Sequence, residues 1–268
     1  MHSEGQLIHT PGYFFRNTDF VCPPNAVLGE RRSDRNRLSA NDSILVVRSD
    51  FHVQVADTEE RLNEVSALIR RMYSWRGYRF DKPDSRPRPN HITLQACKGK
   101  DTLGTLSLNV DSEDGLLADD LYCREIDALR RRADTVCELT GFAVSSRLGS
   151  NELLATLFHL MHIMARHLHR VTDAVVEVNP RHAPYYQRLL GFNQIGDRKT
   201  CSRVNAPAVL LHIETDFIEE QIARHAACLE QTEKSLYPHF FSSHETEFLR
   251  RRMQELSQLF PASRRQYD

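Results

Sequence analysis

Hydrophobic and polar residues follow one of two periods along most of the chain. From Ile44 to Ala56 the pattern is extended, and apolar and polar positions alternate from Phe51 onward, which predicts a strand. The next block begins at Asp57 and has apolar residues three and four positions apart, with acidic residues in its first turn. This spacing predicts an amphipathic helix. Its inner face is expected to consist of Leu62, Val65, Leu68, Ile69 and Met72.

The same two periods continue to about residue 213. They predict a hairpin over residues 91–111, a short helix over 122–132, a strand over 136–144, a long helix over 151–169 and a final strand over 204–213. Pro207 lies inside the final strand and indicates an edge or a bulge, because proline donates no hydrogen bond to a ladder. Two charged amphipathic helices, over 217–234 and 243–259, are predicted to follow.

Residues 172–192 contain the densest pattern in the sequence. The run from Val175 to Val178 predicts a buried strand, which Asn179 and Pro180 end. Asn179 can cap a helix with Pro180 at its first position, and Gly191 suits the left-handed residue that ends such a helix. Open α/β sheets bind ligands where a buried strand ends. The polar and aromatic residues predicted there are Arg181, His182, Tyr185 and Tyr186.

The order of elements predicts an α/β (α+β) fold with one mixed sheet flanked by helices. The aperiodic, charged residues 1–43 are expected to form a loosely ordered arm. Residues 44–213 would form the main domain, and residues 214–268 a C-terminal helical extension. The extension could cap a channel, make a peripheral membrane contact or form a dimer.

Composition excludes several classes of protein. The chain has 268 residues, 40% of them hydrophobic, which is enough for a large core, and its net charge of -1 argues against nucleic-acid binding. No N-terminal signal and no membrane-spanning run is present, so a cytoplasmic protein is expected. The six cysteines form no CxxC pair, and those within apolar patterns, including Cys97, Cys123 and Cys137, are expected to be buried free thiols.

Two groups of residues resemble metal ligands, but no metal is expected. The acidic loop before the second helix lacks the glycine and the ligand spacing of a calcium loop, so we interpret its carboxylates as solvated. The histidines of the long helix lack cysteine partners and an HExxH pattern. These residues are Asp111, Asp114, Asp119 and Asp120, and His159, His162, His167 and His169.

Several motifs in a fixed order carry a resemblance to a known family. These are GTLSLNVDSEDGLLADDLYCREIDALR, CELTGFAV, EVNPRH with YYQRLLGF, and VNAPAVLL. They resemble the N-acyl amino acid synthases known from environmental DNA, which have the GNAT acyltransferase fold, and more distantly the acyl-homoserine lactone synthases. The resemblance covers about residues 44–213. It implies transfer of a long-chain fatty acyl group from acyl carrier protein to the α-amine of an amino acid, with no bound cofactor.

The turn before the long helix bears on the acyl donor. GNAT enzymes that use coenzyme A hold its pyrophosphate in a glycine-rich turn here, whereas SSRLGSNE has one glycine, followed by Glu152. Arg147, Gly149 and Ser150 could still hold the single phosphate of phosphopantetheine, and Arg147 and Arg166 could dock an acidic carrier protein. Two alternatives remain: an acetyltransferase that uses acetyl-coenzyme A, and a non-catalytic regulator that binds acyl carrier protein or lipid.

The resemblance also implies catalytic residues. Glu138 corresponds to a glutamate of the acyl-homoserine lactone synthases and is the candidate base, with Thr140 in the same motif; the alternative is an edge carboxylate or a salt bridge. Phe142 is assigned to the substrate site. Gly141 and Ser107 stand where those synthases usually have arginine, which fits an acceptor other than S-adenosylmethionine.

The remaining candidates surround the end of the strand at Val178. A guanidinium can bind the carboxylate of an amino acid, so Arg181 is a candidate clamp or, alternatively, a surface arginine. Asn179 and His182 could bind substrate or cap the helix, and His182 could act as a base. Tyr185 and Tyr186 would line the acyl channel or belong to the core. The candidate lid, alternatively an ordinary helix end, consists of Tyr73, Arg76 and Tyr78.

Overall fold

A computed structural model describes residues 43–75, 77–78, 90–133, 135–145, 150–226 and 235–259. Nearly all of the predicted N-terminal arm, residues 1–42, lies outside the described residues, as do residues 227–234 of the first predicted C-terminal helix.

The strands of the described residues form one eight-stranded mixed sheet in the order β1-β2-β3-β4-β5-β6-β8-β7. Only β5 and β6 pair in parallel, and every other neighbouring pair is antiparallel. The strands are β1 (Ile44–Val47), β2 (His52–Val55), β3 (His91–Lys98), β4 (Asp101–Val110), β5 (Val136–Val144), β6 (Asp173–Val178), β7 (Asn193–Cys201) and β8 (Ala206–Glu214).

Helices cover both faces of this sheet. Helices α1 and α2 pack on one face, and α3 to α6 pack on the other, where the main hydrophobic core lies. The predicted inner residues of α1 are buried, apart from the partly buried Leu62. The helices are α1 (Glu59–Ser74), α2 (Asp119–Arg130), α3 (Asn151–Ile163), α4 (Ala183–Leu190), α5 (Thr215–His225) and α6 (Ser243–Leu259).

The predicted arrangement of strands needs three corrections. The first predicted strand is a hairpin of β1 and β2. The sequence analysis missed β7 as a separate strand, because its residues are mostly polar and exposed. The third correction concerns Pro207, which by itself indicates an edge or a bulge. Its strand, β8, lies between β6 and β7 and is not an edge strand. The ladder with β6 ends at Val209, so Pro207 has a neighbouring strand, β7, on one side only.

The elements after β8 pack on the face that carries α3. The main chain of Ile44 accepts a hydrogen bond from Arg252 of α6 at 2.8 Å, and Arg48 pairs with Glu245 at 3.2 Å. These contacts attach α6 to the edge of the sheet. The division into a main domain and an extension at residue 213 stays a prediction.

The described cysteines carry free thiols, but one of them was assigned to the wrong environment. Cys97, Cys137 and Cys201 are buried, and burial raises the pKa of each thiol. Cys123 is exposed, contrary to the expectation of burial, because it lies on the outer face of α2.

Candidate active site

The two parallel strands separate along part of their length. β5 and β6 pair only where Val136–Glu138 lies beside Asp173–Val175, although β5 continues to Val144 and β6 to Val178. Beyond this point β6 remains paired with β8, and β5 remains paired with β4. The result is an opening, here called the β5–β6 cleft, which begins beside Glu138.

A bulge in β5 shapes the cleft. Gly141 has φ +59°, and the register with β4 shifts between Thr105 and Ser107, so two residues of β5 oppose one of β4. A Cβ on Gly141 would lie 3.3 Å from Ser107 Oγ, which brings together the two positions where the related synthases have arginine. Beyond the bulge Phe142 faces the α3 side, with its ring centroid 5.2 Å from that of Phe158.

Glu138 lies at the start of the cleft and is only 2% exposed. Its Oε2 accepts hydrogen bonds from the N–H groups of Leu117 at 2.7 Å and Ala118 at 3.3 Å, at the start of α2. Burial, with a smaller effect of the Glu177 charge, raises the pKa of Glu138 to about 7, although both N–H donors act in the opposite direction. This carboxyl group can therefore exchange a proton near neutral pH. Thr140 lies two residues further along β5, opposite Ser107.

The sequence analysis missed a second carboxylate beside the cleft. Glu177 of β6 has a side chain that is 9% exposed, and its Oε2 lies 2.8 Å from Nη2 of Arg203. The other nitrogen, Nη1, donates to the carbonyl oxygen of Leu117 at 2.8 Å and to Asp120 at 2.6 Å. A carboxylate inside the apolar run VVEV was the one available signal for Glu177, because the contacts of Arg203 cannot be deduced from spacing.

The candidate lid contacts the candidate clamp. Nη2 of Arg181 donates to the hydroxyl of Tyr78 at 2.6 Å, and the guanidinium lies 5.2 Å from the centre of that ring. Tyr73 packs edge-on against Tyr78, with 6.0 Å between ring centroids. Nε of Arg181 donates to Nε2 of His182 at 3.4 Å. Arg76 lies outside the described residues.

Asn179 uses both ends of its side chain within the protein. Its Oδ1 accepts from the N–H of Arg181 at 3.2 Å, and its Nδ2 donates to the carbonyl oxygen of Pro207 at 3.0 Å. This arrangement caps the 3₁₀ turn Pro180–His182, which precedes α4, and ties the end of β6 to β8. Gly191, with φ +85°, ends α4 as predicted.

Aromatic rings fill the cleft on the α3 side. Tyr186 is buried and packs edge-on against Phe142, Phe158 and Phe192, with centroid distances of 6.3, 6.2 and 5.8 Å. Tyr185 is partly buried against the same core. Burial raises the pKa of both hydroxyl groups, so both remain protonated near neutral pH.

An apolar cavity of about 40 Å³ lies at the closed end of the cleft. Cys137 and Leu139 of β5 and Ala174 of β6 form its sheet side, and Phe158 and Met161 of α3 form the opposite side. The far end is covered by residues beyond the sheet. These are Thr215, Ile218, Tyr237 and Phe240.

The two candidate donor residues that the structure describes, Ser150 and Arg166, lie far apart. Ser150 caps α3, and its Oγ accepts from the N–H of Leu153 at 3.1 Å. Arg166 lies at the opposite end, in the π-helical turn Met164–Leu168 that follows α3, and pairs with Asp216 at 2.7 Å. Sixteen residues of helix separate the two, which corresponds to roughly 24 Å. Arg147 and Gly149 lie outside the described residues.

The acidic loop before α2 is tied to an arginine. Arg130 binds both oxygens of Asp111, at 2.7 and 2.9 Å, and both oxygens of Asp119, at 2.7 and 2.8 Å. The interpretation of Asp111 and Asp119 as solvated acids is therefore wrong. Within the described ranges, no group of three or more potential ligands could hold a metal ion. None of the described helices is both long and apolar enough to cross a membrane.

Solved structures define the class of this protein. FeeM, an N-acyl amino acid synthase from uncultured soil microbes, is 25% identical, with a TM-score of 0.60 over 68% of this chain and 98% of FeeM. An N-acetyltransferase from Staphylococcus aureus Mu50 is 11% identical, with a TM-score of 0.44 over 62% of this chain and 98% of its own. The AHL synthase LasI is 13% identical, with a TM-score of 0.44 over 63% of this chain and 91% of its own. The chain has the GNAT fold and is an N-acyltransferase.

The family follows from the sequence. Residues 64–214 match the family described as N-acyl amino acid synthase FeeM, and the chain belongs to it. No curated protein matches the sequence significantly. Membership of an enzyme family removes the alternative of a non-catalytic regulator.

Proposed function

We propose that this enzyme transfers a long-chain fatty acyl group from the phosphopantetheine thioester of acyl carrier protein to the α-amine of an amino acid. The observation that carries the proposal is the β5–β6 cleft, which begins between the Glu138 carboxyl group, with a pKa of about 7, on the α2 face of the sheet and an apolar cavity on the α3 face. Family membership supports an N-acyl amino acid as the class of product.

The cavity favours a long acyl chain over an acetyl group. Its lining is almost entirely hydrocarbon, and a chain that entered this space of about 40 Å³ and displaced the side chains around it would bury methylenes that an acetyl group lacks. Each methylene buried there contributes about 0.8 kcal/mol to binding. A donor with a long chain therefore gains affinity that acetyl-coenzyme A does not.

The start of α3 supports a donor with one phosphate. Backbone N–H groups at a helix start attract phosphate, but Ser150 already accepts from one of them. Glu152 adds a negative charge in the first turn. This charge disfavours the pyrophosphate of coenzyme A more than the single phosphate of phosphopantetheine.

Arg181 is the proposed clamp for the acceptor carboxylate. It is exposed beside the end of β6, and Tyr78 holds its guanidinium through one N–H group, which leaves other donors for a carboxylate. The hydroxyl of Tyr78 orients the clamp before the amino acid arrives.

Glu138 is the proposed proton acceptor. The α-amine attacks the thioester carbonyl carbon, the new C–N bond forms, and the C–S bond breaks. Glu138 takes the proton from the attacking nitrogen, and this proton then passes to the departing thiolate. A pKa of about 7 suits this exchange, because the carboxylate is both available and basic enough at neutral pH.

The test is mass spectrometry of the purified chain with palmitoyl-acyl carrier protein and all twenty amino acids, beside parallel reactions with palmitoyl- and acetyl-coenzyme A. We expect an N-palmitoyl amino acid in the first reaction. Product from acetyl-coenzyme A alone would overturn the proposal in favour of an acetyltransferase, and a folded protein that gives no product would also overturn it.

A pair of variants tests the role of Glu138. Glu138→Gln should lower kcat by roughly two to four orders of magnitude, because general base catalysis contributes that much. Glu113→Gln, at an exposed position in the acidic loop, is the matched control and should retain activity. Equal activity of the two variants would exclude Glu138 as the base.

A further inference from the structure

Glu138 and Glu177 form a diagonal pair across the point where the strands separate. Glu138 lies opposite Val175, and Glu177 is two residues further along β6, so both side chains point to the α2 face of the sheet. Strand spacing and rise put their Cα atoms roughly 8 Å apart. At that separation, inside the protein, the charge of one carboxylate acts strongly on the other.

Leu117 connects the two carboxylates through its own peptide groups. Its N–H donates to Glu138, and its carbonyl oxygen accepts from Arg203, which binds Glu177. The position of Glu138 and the position of the Glu177–Arg203 ion pair are thus fixed by the same residue.

One oxygen of Glu138 remains available for chemistry. The N–H groups of Leu117 and Ala118, just before α2, both donate to Oε2. In the part of the chain that the structure describes, no group donates a hydrogen bond to Oε1. A substrate N–H group is the natural partner for a buried carboxylate oxygen beside a cleft.

The charges that face Glu138 have opposing effects. Glu177 raises the pKa of Glu138, and Arg203 lowers it. Other ionisable groups also surround this cluster: Cys137 on β5, Cys201 and Lys199 on β7, and Asp120, Tyr122 and Glu125 on α2.

We propose that Glu177 is a positioning residue for acyl transfer: its carboxylate, held by Arg203, keeps Glu138 able to take a proton from the acceptor amine. This inference rests on the proposed function. The proton moves from the amine nitrogen to Oε1 of Glu138, and Glu177 supplies the negative charge that makes Glu138 a stronger base. Arg203 limits that effect by pairing with Glu177.

The test is the pH dependence of kcat/KM for wild type and four variants, from pH 5 to 9. Glu177→Gln should move the ascending limb of the kcat/KM profile to lower pH by roughly one unit, because Glu138 loses a neighbouring negative charge. It should also reduce the plateau value of kcat/KM. Arg203→Gln, which can still donate to Leu117, should move the limb to higher pH by a similar amount. Glu177→Asp should keep the limb near that of wild type.

Asp120→Asn is the matched control. It removes the other ion pair of Arg203, at a side chain that is 63% exposed, and should leave the limb in place. The proposal would be overturned if the ascending limb of the pH profile lay at the same pH in wild type, Glu177→Gln and Arg203→Gln. It would also be overturned if Glu177→Gln and Arg203→Gln shifted the limb in the same direction. Absence of any wild-type product would instead contradict the proposed function.

A second measurement does not depend on turnover. Glu138 should contribute a fall in the free energy of unfolding as pH rises from about 5 to 8, because the folded state holds a proton on Glu138 that the unfolded state has lost, whereas histidines whose pKa is lowered by burial contribute a rise. Glu177→Gln should reduce this fall, since it lowers the pKa of Glu138. An unchanged slope in a folded variant would contradict the proposal.

Discussion

Tyr78 and Arg181 are 103 residues apart in the sequence, yet the tyrosine hydroxyl accepts a hydrogen bond of 2.6 Å from the guanidinium. The contact joins the segment after α1 to the segment after β6. It places the candidate lid directly on the candidate acceptor clamp, although each of the two residues stands out in the sequence for a different reason.

Loss of the guanidinium should weaken binding of the acceptor more than it slows chemistry. For Arg181→Met we expect KM for the amino acid to rise roughly 10- to 100-fold with a smaller change in kcat, because a charge-assisted bidentate contact is lost. Tyr78→Phe should raise KM less, since the clamp remains but is no longer oriented.

Arg188→Met is the control for this prediction, since Arg188 is also an exposed arginine and lies on α4. Steady-state kinetics at saturating acyl donor measure the effect. If Arg181→Met changed only the KM of the acyl donor, Arg181 would belong to the donor site.

Glu138 makes stability depend on pH with a defined sign. Its pKa is raised from 4.5 to about 7, so this group holds more proton in the folded than in the unfolded state between these values, and its contribution to stability falls as pH rises through that window. Glu138→Gln should flatten this dependence. At pH 8 the variant should be more stable than wild type by roughly 3 kcal/mol.

Chemical denaturation of both proteins at pH 5 and pH 8 measures this difference. The glutamine side chain in the variant would still accept a hydrogen bond from α2 through its amide oxygen. A difference in free energy of unfolding between wild type and variant that is the same at pH 5 and pH 8 would show that Glu138 is ionised throughout.

The cavity should determine the length of the acyl chain. Ala165 is 4% exposed and lines the cavity from the π-helical turn, so Ala165→Leu fills space at the end remote from the start of α3. Each excluded methylene should cost about 0.8 kcal/mol, or roughly a fourfold loss of kcat/KM.

The comparison is between octanoyl and palmitoyl donors on the same protein. Ala165→Leu should reduce turnover of the palmitoyl donor and leave turnover of the octanoyl donor nearly unchanged. The retained octanoyl activity also shows that the variant is folded. A proportional loss for both donors would indicate that the chain does not reach Ala165.

Arg130 should stabilise the loop that leads into α2. Lysine cannot reproduce its paired contacts with Asp111 and Asp119, so Arg130→Lys should lower the free energy of unfolding by about 1–3 kcal/mol. Because the same loop presents Leu117 to Glu138, kcat should also fall several-fold. Arg131→Lys, at the exposed neighbouring position, should change neither quantity.

Local periodicity was sufficient to predict most of the elements. The inner face of α1, the β3–β4 hairpin, β5 and the left-handed Gly191 all follow from residue spacing and backbone preference. β7 does not, because only Gly196 and Cys201 of its residues are buried. Its strand conformation depends on pairing with β8, and Gly196 lies so close to Leu210 and Tyr122 that a Cβ would be 2.7 Å from each.

The candidate site could be predicted only in part, for a related reason. Glu138 stands out as a carboxylate inside an apolar strand, and the residues after β6 stand out as a polar group at a strand end. The link from Glu138 through Leu117 and Arg203 to Glu177 joins four separate segments. Such a link arises from packing, and no spacing in the sequence encodes it.

The cavity wall is built partly from outside the family-matched region. That region ends at residue 214, whereas Thr215, Ile218, Tyr237 and Phe240 close the far end of the cavity. The sheet side of the cavity and the side formed by α3 belong to the matched region, and only its far end comes from the elements after β8. Under the proposed function, substitutions at this far end would change the space for the acyl tail while leaving Glu138 and its partners in place.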